Sequence, residues 1–262
     1  MTDQTFKIRI GWLYPELMST YGDRGNILYF RSRCAHYGIQ TELIPIDFTF
    51  SENKFSEIDF IFGGGSQDTE QELVMRDLQG KKAEEMKNKI ENNTPALFVC
   101  GSPQLMGKSY EPGIGKKIMG LGVFDMESVH PGPNVARCIG NTVGSVFMGN
   151  IGLPVSDKLI IGFENHGGRS YLGTGVKPFA KVIKGYGNNG KDGYEGMVYK
   201  NAIGCYYHGP FFPKNPSIAD FFIRKIIRVK YDEKVELKHL PDTFEKKARE
   251  VLLKRWNITS AL

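Results

Sequence analysis

Short apolar segments alternate with amphipathic segments through the first part of the chain. Continuous β-branched and aromatic runs predict strands at residues 6–14, 41–46, 58–62 and 96–99. Helical periodicity between these runs predicts helices at residues 26–37, 68–78 and 81–92. Strands that alternate with helices in this way form a mostly parallel sheet with helices packed on its faces. The sequence therefore predicts an α/β fold with a parallel central sheet.

The pattern changes in the second part of the chain. Residues 116–176 are rich in glycine, valine and isoleucine and show little helical periodicity, so we expect a small additional portion of short antiparallel β-strands. Residues 193–200 and 202–207 are also predicted strands, and helices are predicted at about 217–230 and 242–256. We treat residues 1–262 as a single domain with a helical tail at about 231–262.

Composition and charge narrow the possible function classes. The 262 residues carry a net charge of +5, and the basic residues are spread along the chain, which disfavours nucleic-acid binding. The four cysteines lie far apart without a C-x-x-C pair, so we expect neither a disulfide framework nor a zinc site, and no bound metal. Met1–Lys7 contains no apolar signal segment and no run is long enough to span a bilayer, so we expect a cytoplasmic protein.

Candidate chemistry centres on Cys100, which directly follows the predicted strand at 96–99. Gly101 comes next and residues 104–106 begin a predicted helix, so the cysteine lies at a sharp turn from strand to helix. Such an elbow strains the backbone of its first residue, directs the side chain out of the sheet edge and surrounds it with N–H groups that favour a thiolate. A buried core cysteine would explain the local pattern equally well.

Two further segments follow predicted strands and are expected at the same edge of the sheet. Gly63-Gly64-Gly65 follows the strand at 58–62, and His208 follows the strand at 202–207. Because ligands bind outside the carboxyl ends of parallel strands, we predict that Cys100 is a nucleophile and His208 its base. The N–H groups of Gly101 and of the glycine loop, at Gly64 and Gly65, would then stabilise the oxyanion of an acyl-transfer reaction.

With these residues in place, the sequence resembles the class I glutamine amidotransferases. Gln104 stands four residues after Cys100, as glutamine does in that family, and a glycine-rich loop precedes the elbow. Ser102 replaces the usual glycine, and Pro210 replaces the usual glutamate two residues after the histidine. This pattern resembles the cobyric acid synthase-like (CobB/CobQ) branch. The resemblance implies a three-layer α/β fold and a Cys-His dyad, with Gln104 as a substrate-binding residue.

Segments spread over most of the chain resemble one subgroup of this branch, the glutaminase subunits that work in peptidoglycan synthesis: Tyr21–Asp23, Gly162–His166, Tyr186–Asn189, Glu195–Gly196, Tyr199–Asn201 and His208–Pro210. The resemblance implies a heterodimer in which ammonia from L-glutamine passes to a Mur ligase-like subunit that amidates the D-glutamate of the lipid II stem peptide. It implies no cofactor on this chain, since ATP and Mg are expected on the partner, which is also the candidate for binding Zn. It also implies a glutamine-binding arginine, and Arg137 fits that place because a guanidinium suits the α-carboxylate.

Two other functions are compatible with the same residues. One is another cysteine hydrolase of this fold, a γ-glutamyl hydrolase or a peptidase, because an elbow and a base do not name the acyl donor. The other is a non-catalytic partner subunit, since a histidine without a third residue to orient it is a poorer base. The roles of Glu164, Asn165 and His166, a dense polar cluster that structural pairing explains equally well, are left open.

Overall fold

The computed structural model describes residues 5–152 and 157–258. The strands are β1 Lys7–Leu13, β2 Gln40–Ile46, β3 Phe60–Gly63, β4 Ala96–Val99, β5 Ser109–Glu111, β6 Ile118–Met119, β7 Met126–Val129, β8 Cys138–Val146, β9 Leu159–His166, β10 Arg169–Leu172, β11 Ala180–Lys184, β12 Tyr194–Glu195, β13 Met197–Tyr199 and β14 Ala202–Cys205. The helices are α1 Arg24–His36, α2 Asp68–Asp77, α3 Gly80–Glu91, α4 Gly101–Met106, α5 Met148–Ile151, α6 Phe211–Lys214, α7 Pro216–Tyr231 and α8 Thr243–Arg255, with a short 3₁₀ helix at Glu52–Glu57.

The central sheet has six strands in the order β13-β14-β4-β3-β1-β2. Five of them are parallel, and β13 pairs antiparallel with β14 at one edge. Strands β3 and β4 are buried along their whole length, which explains their uninterrupted apolar runs. Because β1, β3, β4 and β14 run in one direction, the loops that follow them meet at a single edge of the sheet.

Helices cover both faces of this sheet. On one face a core cluster joins α1, α6 and α7 to the sheet around Phe30, Phe60, Phe212 and Phe222, whose rings pack within 6 Å of a neighbouring ring. On the other face α2, α3 and α4 bury Val74, Met86, Leu105 and Met106. Sequestering apolar area on both faces stabilises a layered α/β fold. The predicted fold class is confirmed. Most helix and strand ends lie within two residues of their predicted positions, but the helix after Cys100 begins at Gly101, three residues before its predicted start.

The predicted additional β portion consists of two four-stranded sheets. The sheet with the order β12-β11-β8-β9 is antiparallel throughout. The sheet with the order β10-β7-β5-β6 departs from the expectation in one place, because β5 and β7 are parallel. An isolated bridge between Phe163 and His208 joins the antiparallel sheet to the edge of the central sheet where the loops after the parallel strands meet.

One predicted strand was wrong. Residues 193–200 form two strands that belong to different sheets, since β12 pairs with β11 and β13 pairs with β14. Gly196 divides them with a φ of +67°, a left-handed conformation that redirects the chain. A Cβ at this position would also lie 2.5 Å from the Gly204 carbonyl oxygen, so the close approach requires glycine.

The C-terminal segment returns to the body of the protein. Arg33 on α1 forms ion pairs with Asp220 on α7 and with Asp242 just before α8. Arg249 on α8 donates to Asn215 and pairs with Asp157. Residues 259–262 of the predicted tail lie outside the described residues. Among the helices described, none combines the length and apolar character that a bilayer crossing requires.

Candidate active site

Cys100 lies between β4 and α4 in a strained backbone conformation. Its φ of 54° and ψ of −96° are unusual for a residue with a side chain. Its N–H donates to the Cys205 carbonyl oxygen at 2.8 Å, which ties the elbow to the end of β14. The residue is 7% exposed and lines an open cavity of about 730 Å³. This is the geometry of an elbow that presents a nucleophile to a ligand.

The three other cysteines have a different environment. Burial raises the pKa of the Cys34 thiol well above its usual range and that of Cys138 to about 11. Burial also raises the pKa of Cys205, beneath the site. None of the three lines the cavity. A thiol that is held neutral is a poor nucleophile, so the chemistry points to Cys100.

His208 is completely buried and is positioned from two sides. Its backbone pairs with Phe163, with the His208 N–H donating to the Phe163 carbonyl at 2.8 Å. Its ring Nδ1 lies 3.0 and 3.1 Å from the two carboxylate oxygens of Asp23. Since Nδ1 donates to Asp23, Nε2 is the ring atom left for the thiol, and it has no other partner among the described residues. Tyr21 packs edge-on against the ring, with the two ring centroids 5.1 Å apart.

Asp23 makes the constellation a triad rather than the expected dyad. The carboxylate is fully buried in the loop between β1 and α1, at the same sheet edge as Cys100 and His208. Burial opposes an imidazolium, but the charges of Cys100 and Asp23 outweigh it and raise the pKa of His208 well above its usual value. Such an arrangement favours a thiolate-imidazolium pair.

The glycine loop is tied to this triad by backbone groups. The Gly65 N–H donates to Asp23 Oδ2 at 2.7 Å, so it is engaged in this structure and does not face an oxyanion at Cys100. As the first residue of α4, Gly101 has an N–H that no helical carbonyl accepts. Gly64 packs against the Met18 carbonyl oxygen, where a Cβ would lie at 2.3 Å. Of the predicted oxyanion donors, Gly101 is the one placed directly beside Cys100.

Ser102, which replaces a glycine common in the family, has a local function. Its hydroxyl donates to the Gly64 carbonyl oxygen at 2.5 Å. A Cβ at Gly63 would lie 2.5 Å from that hydroxyl, so the glycine loop and the elbow helix pack in close contact. The serine therefore joins the two segments instead of loosening the elbow.

Gln104 lies on the inner wall of the cavity within a chain of hydrogen bonds. Its Oε1 accepts from Gln71 Nε2 at 3.0 Å, and its Nε2 donates to the Tyr206 hydroxyl at 3.2 Å. Tyr206 continues the chain to Ser170 at 2.6 Å, and Ser170 to Ser128 at 2.5 Å. All five side chains are buried, so the wall beside Cys100 is rigid and polar.

The opposite wall carries Arg137 and the segment that follows β9. Arg137 is exposed and donates to the side chain and the carbonyl of Asn165, both at 3.1 Å. His166 stacks on Tyr206 and its Nδ1 donates to the Gly168 carbonyl, which leaves Nε2 as a buried acceptor without a partner among the described residues. Burial lowers the pKa of His166 to about 3, so the ring is neutral. Arg137 thus lies at the cavity mouth and His166 in its interior.

Two buried carboxyl groups lie near the site and do not line the cavity. Glu164 accepts from the N–H groups of Tyr186 and Gly187, and burial raises its pKa to about 7. Glu195 accepts from the Tyr206 N–H at 2.6 Å, and burial raises its pKa to about 8. Both fix loops behind the cavity wall. Within residues 5–152 and 157–258 no group of His, Cys, Asp and Glu side chains is arranged to hold a metal ion.

Of the residues predicted from the sequence, Cys100, Gln104 and Arg137 line one cavity, and His208 is buried with its ring against Asp23 and Tyr21. Sequence reasoning did not assign a role to Asp23, whose contact with His208 spans 185 positions of the chain. The available signal was an acidic residue in a loop after the first parallel strand. Such a loop reaches the common edge of the sheet whenever that strand lies close to the others.

The family of the chain follows from its sequence. Residues 9–216 match the CobB/CobQ-like glutamine amidotransferase domain. The chain belongs to this family of glutamine amidotransferases.

Two relatives are similar over nearly the whole chain. The lipid II isoglutaminyl synthase (glutamine-hydrolyzing) subunit GatD of Streptococcus pneumoniae is 34% identical over 249 residues, which cover 94% of this chain and 90% of the relative. The subunit of the same name from Staphylococcus aureus is 36% identical over 242 residues, which cover 92% of each. Among solved structures, the glutaminase domain of Trypanosoma brucei CTPS with bound acivicin has a TM-score of 0.55 at 12% identity, covering 88% of this chain and 96% of that one. That likeness supports the fold.

Proposed function

We propose that this chain is the glutamine-hydrolysing subunit of a two-chain amidotransferase that acts in peptidoglycan synthesis. The observation that carries the proposal is the elbow residue Cys100, which lines a polar cavity beside a buried His208–Asp23 pair. Membership of the glutamine amidotransferase family supports it, as do relatives named glutamine-hydrolyzing subunits of lipid II isoglutaminyl synthase.

The first half of the reaction forms a thioester. The Cys100 thiol gives its proton to His208 Nε2, and Sγ attacks the side-chain carbonyl carbon of L-glutamine. The oxyanion of the tetrahedral intermediate accepts a hydrogen bond from the Gly101 N–H. We propose the Gly64 N–H, in the glycine loop, as the second donor. His208 then returns the proton to the leaving nitrogen, the C–N bond breaks and ammonia departs.

The second half releases glutamate. Water attacks the thioester carbonyl while His208 Nε2 accepts its proton, and the collapse of the second tetrahedral intermediate returns that proton to the Cys100 sulfur. Asp23 acts through His208: it holds Nδ1 in its protonated form, so that Nε2 always faces the reacting atoms. The sum of both halves is glutamine and water converted to glutamate and ammonia.

The cavity offers groups that suit the rest of the glutamine molecule. Arg137 at its mouth can bind the α-carboxylate with two parallel hydrogen bonds. Its present partner Asn165 holds the guanidinium toward the cavity. His166 Nε2 is an acceptor without a proton and suits the α-ammonium group. Gln104, fixed between Gln71 and Tyr206, supports the wall on which the substrate lies.

We propose that the ammonia passes to a MurT-like Mur ligase subunit, which would use ATP to amidate the D-glutamate of the lipid II stem peptide. The GatD relatives support this assignment through the enzyme that their names give. We further propose that residues 1–262 act as one glutaminase domain in the cytoplasm, where the partner's nucleotide is available.

The test compares acyl donors and a nucleophile variant. Purified chain, with a MurT-like partner added, is supplied with L-glutamine or with γ-glutamyl peptides, and glutamate and ammonia are measured. The proposal predicts a preference for free glutamine and loss of ammonia release in Cys100→Ala with an unchanged melting temperature. A preference for γ-glutamyl peptides would instead favour a γ-glutamyl hydrolase, and undiminished release by the variant would contradict the assigned nucleophile.

A further inference from the structure

Beside the elbow, two side chains have polar atoms that are buried but have no partner in the described part of the chain: the Ser66 hydroxyl oxygen and Gln71 Oε1. Both residues line the cavity, and neither belongs to the triad or to the groups assigned above to the two ends of glutamine. A buried polar atom without a hydrogen bond is costly, and native proteins seldom keep one unless a ligand or water completes it.

The two groups lie at the same place in the site. A Cβ on Gly101 would lie 2.6 Å from the Ser66 oxygen and 2.9 Å from Gln71 Nε2. Both side chains therefore approach the backbone of the residue that follows the nucleophile. A methyl group at this position would require both side chains to shift. This close approach brings Ser66 and Gln71 to the part of the cavity where the reacting carbonyl has to lie.

The orientation of Gln71 follows from its neighbours. Its Nε2 donates to Gln104 Oε1, and the Gln104 amide donates in turn to Tyr206. The Gln71 amide nitrogen is thus engaged inside the wall, and its oxygen is left as an acceptor. The residue is 2% exposed, so water does not readily satisfy that oxygen. The Ser66 hydroxyl is instead available as a donor, since its hydrogen has no acceptor within the described residues.

A donor and an acceptor at one place are complementary to a primary carboxamide, whose oxygen accepts and whose nitrogen donates. We propose that Ser66 and Gln71 bind the side-chain carboxamide of the substrate. The Ser66 hydroxyl donates to the carboxamide oxygen, and Gln71 Oε1 accepts from the NH₂ group. The inference rests on the proposed function and extends it. Ser66 then supplies a side-chain donor to the oxyanion, which complements Gly101 because the Gly65 N–H is engaged by Asp23.

The Ser66–Gln71 pair would also make the site bind glutamine, an amide, in preference to glutamate, the corresponding acid. Glutamate, the product, has no hydrogen on its side-chain carboxylate for Gln71 Oε1, and two oxygens brought together repel. A site that leaves a buried acceptor unpaired discriminates strongly against the ligand that lacks the donor. Gln71 is therefore a specificity residue in this proposal, and it promotes release of glutamate after hydrolysis.

The experiment compares L-glutamine with the γ-methyl ester of L-glutamate, which forms the same thioester but carries no N–H on its leaving group. The full chain and its Ser66→Ala and Gln71→Leu variants are assayed for glutamate release from both substrates. We expect Ser66→Ala to lower kcat/KM for both substrates about 10- to 100-fold, because both form the same oxyanion. We expect Gln71→Leu to lower the ratio of amide to ester activity about tenfold, because only the amide loses a hydrogen bond.

Matched controls are Ser145→Ala and Gln79→Leu, which lie outside the cavity and should keep the wild-type rates and ratio. A purely structural effect of Gln71→Leu, transmitted through Gln104, would reduce both substrates equally and leave the ratio unchanged. An unchanged ratio, or Ser66→Ala activity within twofold of wild type, would overturn the pair while leaving the glutaminase assignment intact. A wild-type chain that hydrolyses neither substrate would overturn the proposed function itself, and the pair with it.

Discussion

Replacing Asp23 by asparagine is the most informative single change in the triad. Asp23 Oδ2 accepts from both His208 Nδ1 at 3.0 Å and the Gly65 N–H at 2.7 Å. An asparagine oxygen in the place of Oδ2 keeps the bond to Gly65, so the glycine loop retains its geometry. The asparagine NH₂ group then faces His208 Nδ1, which favours the ring tautomer with its proton on Nε2. That tautomer cannot accept the thiol proton.

The size of the effect follows from burial and distance. Both side chains are fully buried, and their charge centres lie about 4 Å apart, where opposite charges attract by about 4 kcal/mol at an effective dielectric constant of about 20. The asparagine dipole recovers part of this, so we expect a loss of about 2 to 4 kcal/mol. At about 1.4 kcal/mol for each factor of ten, kcat/KM should fall about 30- to 1000-fold.

Two assays separate this effect from a structural one. The first is the pH profile of glutamate release from glutamine: without the carboxylate the pKa of His208 falls, so the alkaline limb of kcat/KM should move to lower pH. The second is the rate of Cys100 alkylation by iodoacetamide at neutral pH, which should also fall and needs no substrate. A variant that keeps kcat/KM within threefold of wild type, with an unshifted profile, would refute the triad.

Three other changes test neighbouring parts of the site. Glu195→Gln removes a carboxyl group whose pKa is raised to about 8 in the folded protein. The protonated carboxyl group stabilises the folded wild type below pH 4.5, and this contribution to the free energy of unfolding is lost as the pH rises toward 8. The glutamine variant does not titrate and keeps an acceptor for the Tyr206 N–H, so by pH 9 its free energy of unfolding should exceed that of wild type by up to about 5 kcal/mol. Thermal unfolding measured across this pH range tests the difference. Arg137→Ala removes the guanidinium that would bind the α-carboxylate, so it should raise KM for glutamine about tenfold or more with a smaller change in kcat. A variant KM equal to that of wild type would exclude this role for Arg137. Gly101→Ala introduces a Cβ 2.6 Å from the Ser66 oxygen, so it should reduce glutamate release at least tenfold with the far-ultraviolet circular dichroism unchanged, and wild-type turnover would contradict the close approach.

The parts of the site that sequence predicts are those with local signals. Cys100 and His208 each end an apolar strand and begin a glycine-containing turn, and this local pattern is sufficient to place them at the edge of a parallel sheet. The order of strands, with β4 between β3 and β14, then brings them together. The family resemblance added Gln104 and Arg137, which have no distinctive local pattern.

The parts that were missed depend on contacts between distant segments. Asp23 has a sufficient local explanation as a turn residue, and only the folded sheet shows that its carboxylate meets His208. The division of residues 193–200 depends on Gly196, because its left-handed backbone sends β12 and β13 to separate sheets. The orientation of Gln71 depends on two side chains from other segments, Gln104 and Tyr206. Such networks arise from packing and leave no periodic trace in the sequence.

The central claim, that glutamine is cleaved through a covalent bond to Cys100, can be tested by trapping the intermediate. The chain is mixed with L-glutamine, quenched with acid during turnover and examined by intact mass and peptide mapping. We predict a mass increase of one γ-glutamyl group, located on the peptide that contains Cys100 and absent from Cys100→Ala. Steady glutamate release without any adduct, together with full activity in Cys100→Ala, would contradict it.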